Sequence, residues 1–169
     1  MRRATRLWTA ALMLAAMPAL ATAQDMGISV GTKAPGAMVE TLEGDTVDLA
    51  DWLKKGPVFL QFWATWCGNC RALEPQVQAA VKKYAGRMQF VSVAVSVNQS
   101  VERIKAYRER HGMAQEIVYD RKGYATDAYE VPATSYVVVI DAKGTVVYTG
   151  LGSEQDIDAA VRKGLASGS

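Results

Sequence analysis

Cys67 and Cys70 stand two residues apart and are the only cysteines in the 169-residue chain. Such a pair can clip a loop, supply half of a metal site, or exchange electrons with another disulfide. It makes a poor clip, because closing so short a ring removes little chain entropy. It makes a poor half-site too, since zinc takes four ligands and the chain offers one histidine, His111, at a polar helix end that reads as solvent-facing. The residues therefore favour exchange chemistry, in which one thiolate attacks a disulfide and the second thiol resolves the mixed species. No metal site is expected.

The flanking residues predict where this chemistry sits. Residues 58–63 form an apolar run broken only by Gln61 and read as a buried central strand ending just before the cysteines. From Cys70 onward Leu73, Val77, Ala80, Val81 and Tyr84 recur at helical spacing, with Gly86 as a stop. Cys67 then falls at a strand-to-helix junction, where unpaired N–H groups and the helix dipole stabilise negative charge. It is expected to be the low-pKa thiolate. Cys70, one turn in and more buried, is expected to resolve the mixed disulfide.

The rest of the chain alternates short β-rich runs with amphipathic stretches, the order of an α/β sandwich. Residues 39–42 and 46–49 flank Glu43-Gly44-Asp45, a predicted hairpin turn. A strand over 90–97 precedes a helix over 101–111 rich in Glu, Lys and Arg, and a short strand over 116–119 precedes a short helix over 123–129. Residues 136–140 and 146–148 form a second hairpin around Asp141-Ala142-Lys143-Gly144. Ser153 with Asp156 is read as a capping box opening a final helix on Ile157, Ala160, Val161 and Leu165. Repeats and low-complexity tracts are absent from the sequence.

The amino terminus speaks to compartment. Arg2, Arg3 and Arg6 precede an uncharged apolar run over 7–20, which ends in Ala21-Thr22-Ala23. The run is short for a bilayer crossing and has the order of a secretory signal peptide, with cleavage expected after Ala23. Residues 1–23 are thus expected to be the signal and 24–169 a single domain. An uncleaved segment would be an anchor, the one route to membrane contact. Removing those three arginines takes 19 basic residues to 16 against 17 acidic, a formal charge of −1. That balance gives no reason to expect a nucleic-acid partner.

The run Phe62-Trp63-Ala64-Thr65-Trp66-Cys67-Gly68-Asn69-Cys70 resembles the signature of the thioredoxin superfamily, in particular its exported TlpA/ResA branch. The likeness extends over nearly all of 24–169. It includes Val30-Gly31-Thr32-Lys33-Ala34-Pro35, Pro75 five residues after the second cysteine, and an additional βα unit over 90–111. It implies a thioredoxin-like fold: a central mixed sheet flanked by helices, with an N-terminal β-hairpin and that inserted unit. It also implies thiol–disulfide exchange with protein substrates, no cofactor, and Trp66 as the aromatic that shields the disulfide. Members commonly reduce disulfides outside the cytoplasm, often in cytochrome c maturation, using electrons from a membrane thiol donor.

Four positions depart from the family. Asn69 replaces the usual proline, which adds a backbone N–H in the first helical turn and predicts a less reducing potential than a typical relative has. Gln61 replaces a buried acid, and an amide cannot serve as its base. Leu73 stands where the branch places a glutamate; Glu74 is one step on, rotated by about 100°, and reads as solvated. The proline that faces the cysteines and binds substrate backbone aligns either with Pro132, in Val131-Pro132-Ala133-Thr134, or without gaps with Ser135. Pro132, Thr134 and Ser135 are all therefore candidate substrate-binding residues.

The residues and the resemblance together predict an exported, periplasmic or otherwise extracytoplasmic oxidoreductase that reduces protein disulfides. A partner must supply its electrons, because no Gly-rich nucleotide fingerprint is present. Two alternatives stand beside this. A thiol oxidase would run the same cysteines in reverse. A copper- or haem-handling chaperone on this fold would want a CxxxC with histidine or a Met-His cluster, and the seven methionines are scattered. A redoxin peroxidase frames its thiolate with Thr and Arg at other spacings than that of Thr65.

Overall fold

The computed structural model describes residues 26–167. The expected signal segment and its cleavage site lie outside the described residues. Among the described residues no helix is long and apolar enough to cross a membrane.

The elements run β1 (Met38–Thr41), β2 (Thr46–Asp48), α1 (Ala50–Leu53), β3 (Val58–Trp63), α2 (Gly68–Lys83), β4 (Gln89–Val95), α3 (Val101–His111), β5 (Glu116–Asp120), α4 (Tyr124–Ala128), β6 (Tyr136–Ile140), β7 (Val146–Leu151) and α5 (Ile157–Ala166). They build a seven-stranded mixed sheet in the order β2-β1-β5-β4-β3-β6-β7. β3, β4 and β5 are parallel, joined by crossovers through α2 and α3, whereas β1 and β6 run antiparallel to their neighbours. This is the α/β thioredoxin-like architecture that the sequence implies.

Residues 58–63 lack polar alternation because every one of them is buried, as a central strand covered on both faces requires. Val58, Leu60 and Phe62 join Val39, Leu49 and Tyr136 on one side. Phe59 packs on the other with Leu73 and Val77 of α2 and Val161 of α5, and Trp63 joins Ile104 and Tyr107 of α3. By the same alternation Gln61 points to the α2 and α3 side.

Two local expectations change, and one short helix was not expected. Asp156, not Ser153, caps α5: its side chain accepts the Ala159 N–H at 2.9 Å, while Ser153 Oγ bonds to Glu154. The chain turns into the helix three residues later than the Ser-Asp spacing suggests, because Gln155 is drawn inward to the Ser135 carbonyl. α1 is a four-residue helix too short to show a period, and Asp48 Oδ1 starts it by accepting the Ala50 N–H at 2.9 Å. β7 continues through Thr149 and Gly150 to Leu151, since pairing of Gly150 with Val137 of β6 outweighs the weak strand preference of glycine.

Candidate active site

Cys67 is the N-cap of α2, with extended backbone (φ −77°, ψ 112°), and its sulfur accepts the Cys70 N–H at 3.1 Å. A turn from the Ala64 carbonyl to the Cys67 N–H, 3.0 Å, links the end of β3 to the helix. The two cysteines are joined as a disulfide, with Cα atoms 5.3 Å apart. Each residue is 6 % exposed, so Cys70 is no more buried than Cys67, contrary to the sequence expectation. The difference between them is position: Cys67 sits on the helix end and Cys70 is within its first turn.

The β4–α3 loop clamps the segment before the cysteines. The Thr65 N–H donates to Gln99 Oε1 at 2.9 Å, and the Trp66 indole N–H to the Val97 carbonyl at 2.8 Å. Trp66 nevertheless remains 44 % exposed. The inserted βα unit thus holds the indole at the surface directly before Cys67.

Glu74 is not a solvated residue. Its two carboxylate oxygens receive the Tyr107 hydroxyl and face His111 Nδ1, each at 2.8 Å. The Tyr107 and His111 rings stack with centroids 3.8 Å apart and planes 7° off parallel. His111 keeps an edge toward solvent, its side chain 30 % exposed, while its face and one nitrogen are engaged. The i, i+4 spacing of Tyr107 and His111 puts them on one face of α3; that this face meets Glu74 depends on how α3 packs. Burial, and then the bond to Glu74, push the Tyr107 hydroxyl up to about 12, so it stays a neutral donor near neutral pH.

Glu74, Gln61, Trp63, Tyr107 and Cys70 share a small cavity of about 10 Å³, near the lower limit for one water. The carboxylate therefore lies behind the inner cysteine even though position 73 is apolar. Leu73 itself is fully buried against the sheet with Phe59 and Val77, where a charge would be costly.

Ser135 directly precedes β6 and abuts the carboxyl end of β3: its N–H donates to the Phe62 carbonyl at 2.8 Å. Its hydroxyl donates to the Gly152 carbonyl at 3.0 Å, the residue is fully buried, and its φ is +69°. Thr134 beside it is half-buried, whereas Pro132 lies three residues upstream, exposed. The described residues contain no cis peptide bond.

Comparison with known proteins agrees with this construction. The sequence model of the AhpC/TSA family matches residues 30–149. The thioredoxin-like protein YneN of Bacillus subtilis is 30% identical over 138 residues, covering 80% of each chain. The thiol-disulfide oxidoreductase ResA of Geobacillus kaustophilus is 33% identical over 134 residues, covering 78% of this chain and 75% of ResA. Among solved structures, a thiol:disulfide interchange protein of the thioredoxin family from Chlorobium tepidum superposes with a TM-score of 0.68 at 27% identity, covering 82% of this chain and 99% of its own. With a disulfide at the head of α2 and likeness along most of its length, the chain belongs to the AhpC/TSA family and is a thioredoxin-like thiol–disulfide oxidoreductase.

Proposed function

We propose that the protein reduces disulfides of protein substrates outside the cytoplasm, with Cys67 as nucleophile and Cys70 as resolving thiol. The observation that carries this reading is the disulfide at the amino end of α2, with the Cys70 N–H directed at the Cys67 sulfur. On reduction, that N–H and the positive helix end favour a thiolate at Cys67.

The thiolate attacks one sulfur of a substrate disulfide; a Cys67–substrate bond forms and one substrate thiolate leaves. Cys70 then loses its proton and attacks Cys67, closing the 67–70 disulfide and releasing the second substrate thiolate. Two electrons pass to the substrate. Glu74, which borders the same cavity as Cys70, receives the Cys70 proton. Trp66 and the 134–135 segment frame the site for substrate backbone, and a membrane dithiol donor restores the reduced pair.

The basic-then-apolar segment over 1–23 and the ResA relatives support export to an oxidising compartment. Within that setting, keeping the haem-attachment thiols of c-type cytochromes reduced is the role we assign. The test is insulin reduction by protein kept reduced with dithiothreitol. Turnover is expected, with none in Cys67→Ser and an accumulating mixed disulfide in Cys70→Ser. Absence of turnover above the dithiothreitol background would refute the reading. Alkylation directly after harvest should find the pair mainly reduced in the cell, and a mainly oxidised pair would mark an oxidase.

A further inference from the structure

Beside the disulfide lies a second feature that disulfide exchange by itself does not require. Trp66, Arg71, Arg103, Arg110 and His111 line a cleft of about 440 Å³. Trp66 immediately precedes Cys67 and Arg71 immediately follows Cys70, so the cleft borders the redox pair. Arg103 and Arg110 come from the inserted helix α3.

Charge is what marks this cleft. Among the described residues none of the three arginines has a carboxylate within 4.0 Å; other unpaired basic residues such as Arg87 and Arg108 lie outside this cleft, which gathers three of them beside the cysteines. Arg103 donates to the Asn98 carbonyl and Arg110 to the Ala106 carbonyl, each at 3.1 Å. Those bonds hold the guanidinium groups in place and leave most of their five N–H donors free. The nearby acid, Glu74, is occupied by Tyr107 and His111. The cleft therefore presents three uncompensated, partly pre-oriented guanidinium groups, a geometry suited to carboxylates.

We infer that this cleft docks carboxylate side chains flanking the target cysteine, so that the preferred substrates are disulfides in acidic polypeptide segments. The inference rests on the oxidoreductase reading above. An extended chain advances about 3.3–3.6 Å per residue, so residues a few positions from a cysteine held at Cys67 enter a cleft that starts at Trp66. Docking there also accelerates encounter by electrostatic steering.

The test compares two disulfide-bridged peptides, one with glutamates on both sides of the cysteine and the other with glutamines, as substrates of the dithiothreitol-reduced full chain. At low ionic strength kcat/KM is expected to be about tenfold higher for the acidic peptide. The ratio should fall towards one in 0.5 M salt, and towards one in Arg71→Gln/Arg103→Gln/Arg110→Gln. It should persist in Arg87→Gln/Arg162→Gln, which lowers net charge at the far end of α2 and on α5. Titration calorimetry with the same peptides carrying serine for cysteine reads docking without chemistry and should show the same order. Equal rates and affinities for the two peptides, or a preference that survives in the triple variant, would overturn the inference. So would a preference for glutathione disulfide over the acidic peptide. Failure to reduce either peptide would count against the oxidoreductase reading alone, and the serine peptides would still decide the cleft.

Discussion

Replacing Asn69 by proline removes one backbone N–H from the end of α2 that faces Cys67 while leaving both cysteines in place. Cys67 caps the helix, so Gly68, Asn69 and Cys70 are its first three residues. The Cys70 N–H is directed at the Cys67 sulfur at 3.1 Å, and the Arg71 N–H is taken by the Cys67 carbonyl at 3.2 Å. The N–H groups of Gly68 and Asn69 have no protein acceptor among the described residues and form the free part of the positive helix end.

A charge at such an end is stabilised by about 0.3–1 kcal/mol. Removing one of two free donors takes away on the order of 0.15–0.5 kcal/mol of the stabilisation of the Cys67 thiolate. Since about 30 mV corresponds to 1.4 kcal/mol for a two-electron couple, the midpoint should fall by roughly 3–11 mV. Proline is tolerated in the first helical turn, so the fold should survive the change. Asn69→Ala keeps the N–H and should move the potential by only a few millivolts. Equilibration in glutathione or dithiothreitol redox buffers, followed by alkylation and mass measurement, reads both variants. A rise in Asn69→Pro, or an equal fall in Asn69→Ala, would refute the argument that the backbone donor sets the difference.

The Tyr107 hydroxyl, pushed from 10.0 up to about 12, binds its proton more tightly in the folded chain than in the unfolded one. Its contribution to stability is therefore complete below pH 10 and lost as pH rises towards 12. The gap in urea midpoint between wild type and Tyr107→Phe should narrow above pH 10, and a constant gap would contradict this. Asp156→Ala should cost about 1 kcal/mol through loss of the α5 cap, while Ser153→Ala should stay within about 0.5 kcal/mol; urea unfolding separates the two, and the reverse order would restore Ser153 as the cap. A Cβ on Gly164 would lie 2.6 Å from Val139 Cγ1 and 2.7 Å from Met88 Cε, so Gly164→Ala should destabilise by about 1–3 kcal/mol, and an unchanged thermal midpoint would refute the close approach of α5 to β6.

Much of the scaffold was legible because it depends on local pattern. The apolar run of β3, broken only by Gln61, announced a strand covered on both faces, and the period from Leu73 to Tyr84 announced α2 and the junction that carries Cys67. The helix expected over 101–111 is found there as α3, closed by Ser100 as side-chain N-cap and Gly112 as left-handed C-cap. The four residues of α1 and the end of β7 past Tyr148 could not be read this way, since a single turn has no period and ladder pairing with β6 overrides the weak strand propensity of Gly150.

By itself the sequence determined which residues can do chemistry and on which kind of element they sit, since these follow from residue type and short-range spacing. Only the tertiary structure decided what surrounds that pair. Glu74 looked solvated because nothing within α2 shows which helix packs over its face, and α3, delivered by a crossover from β4, supplies Tyr107 and His111 to it. The same packing gathers Arg71 from one helix and Arg103 and Arg110 from another beside Trp66, and it sets Ser135 against Phe62. Contacts between residues 30 or more positions apart depend on the register and twist of the sheet, which no local periodicity encodes.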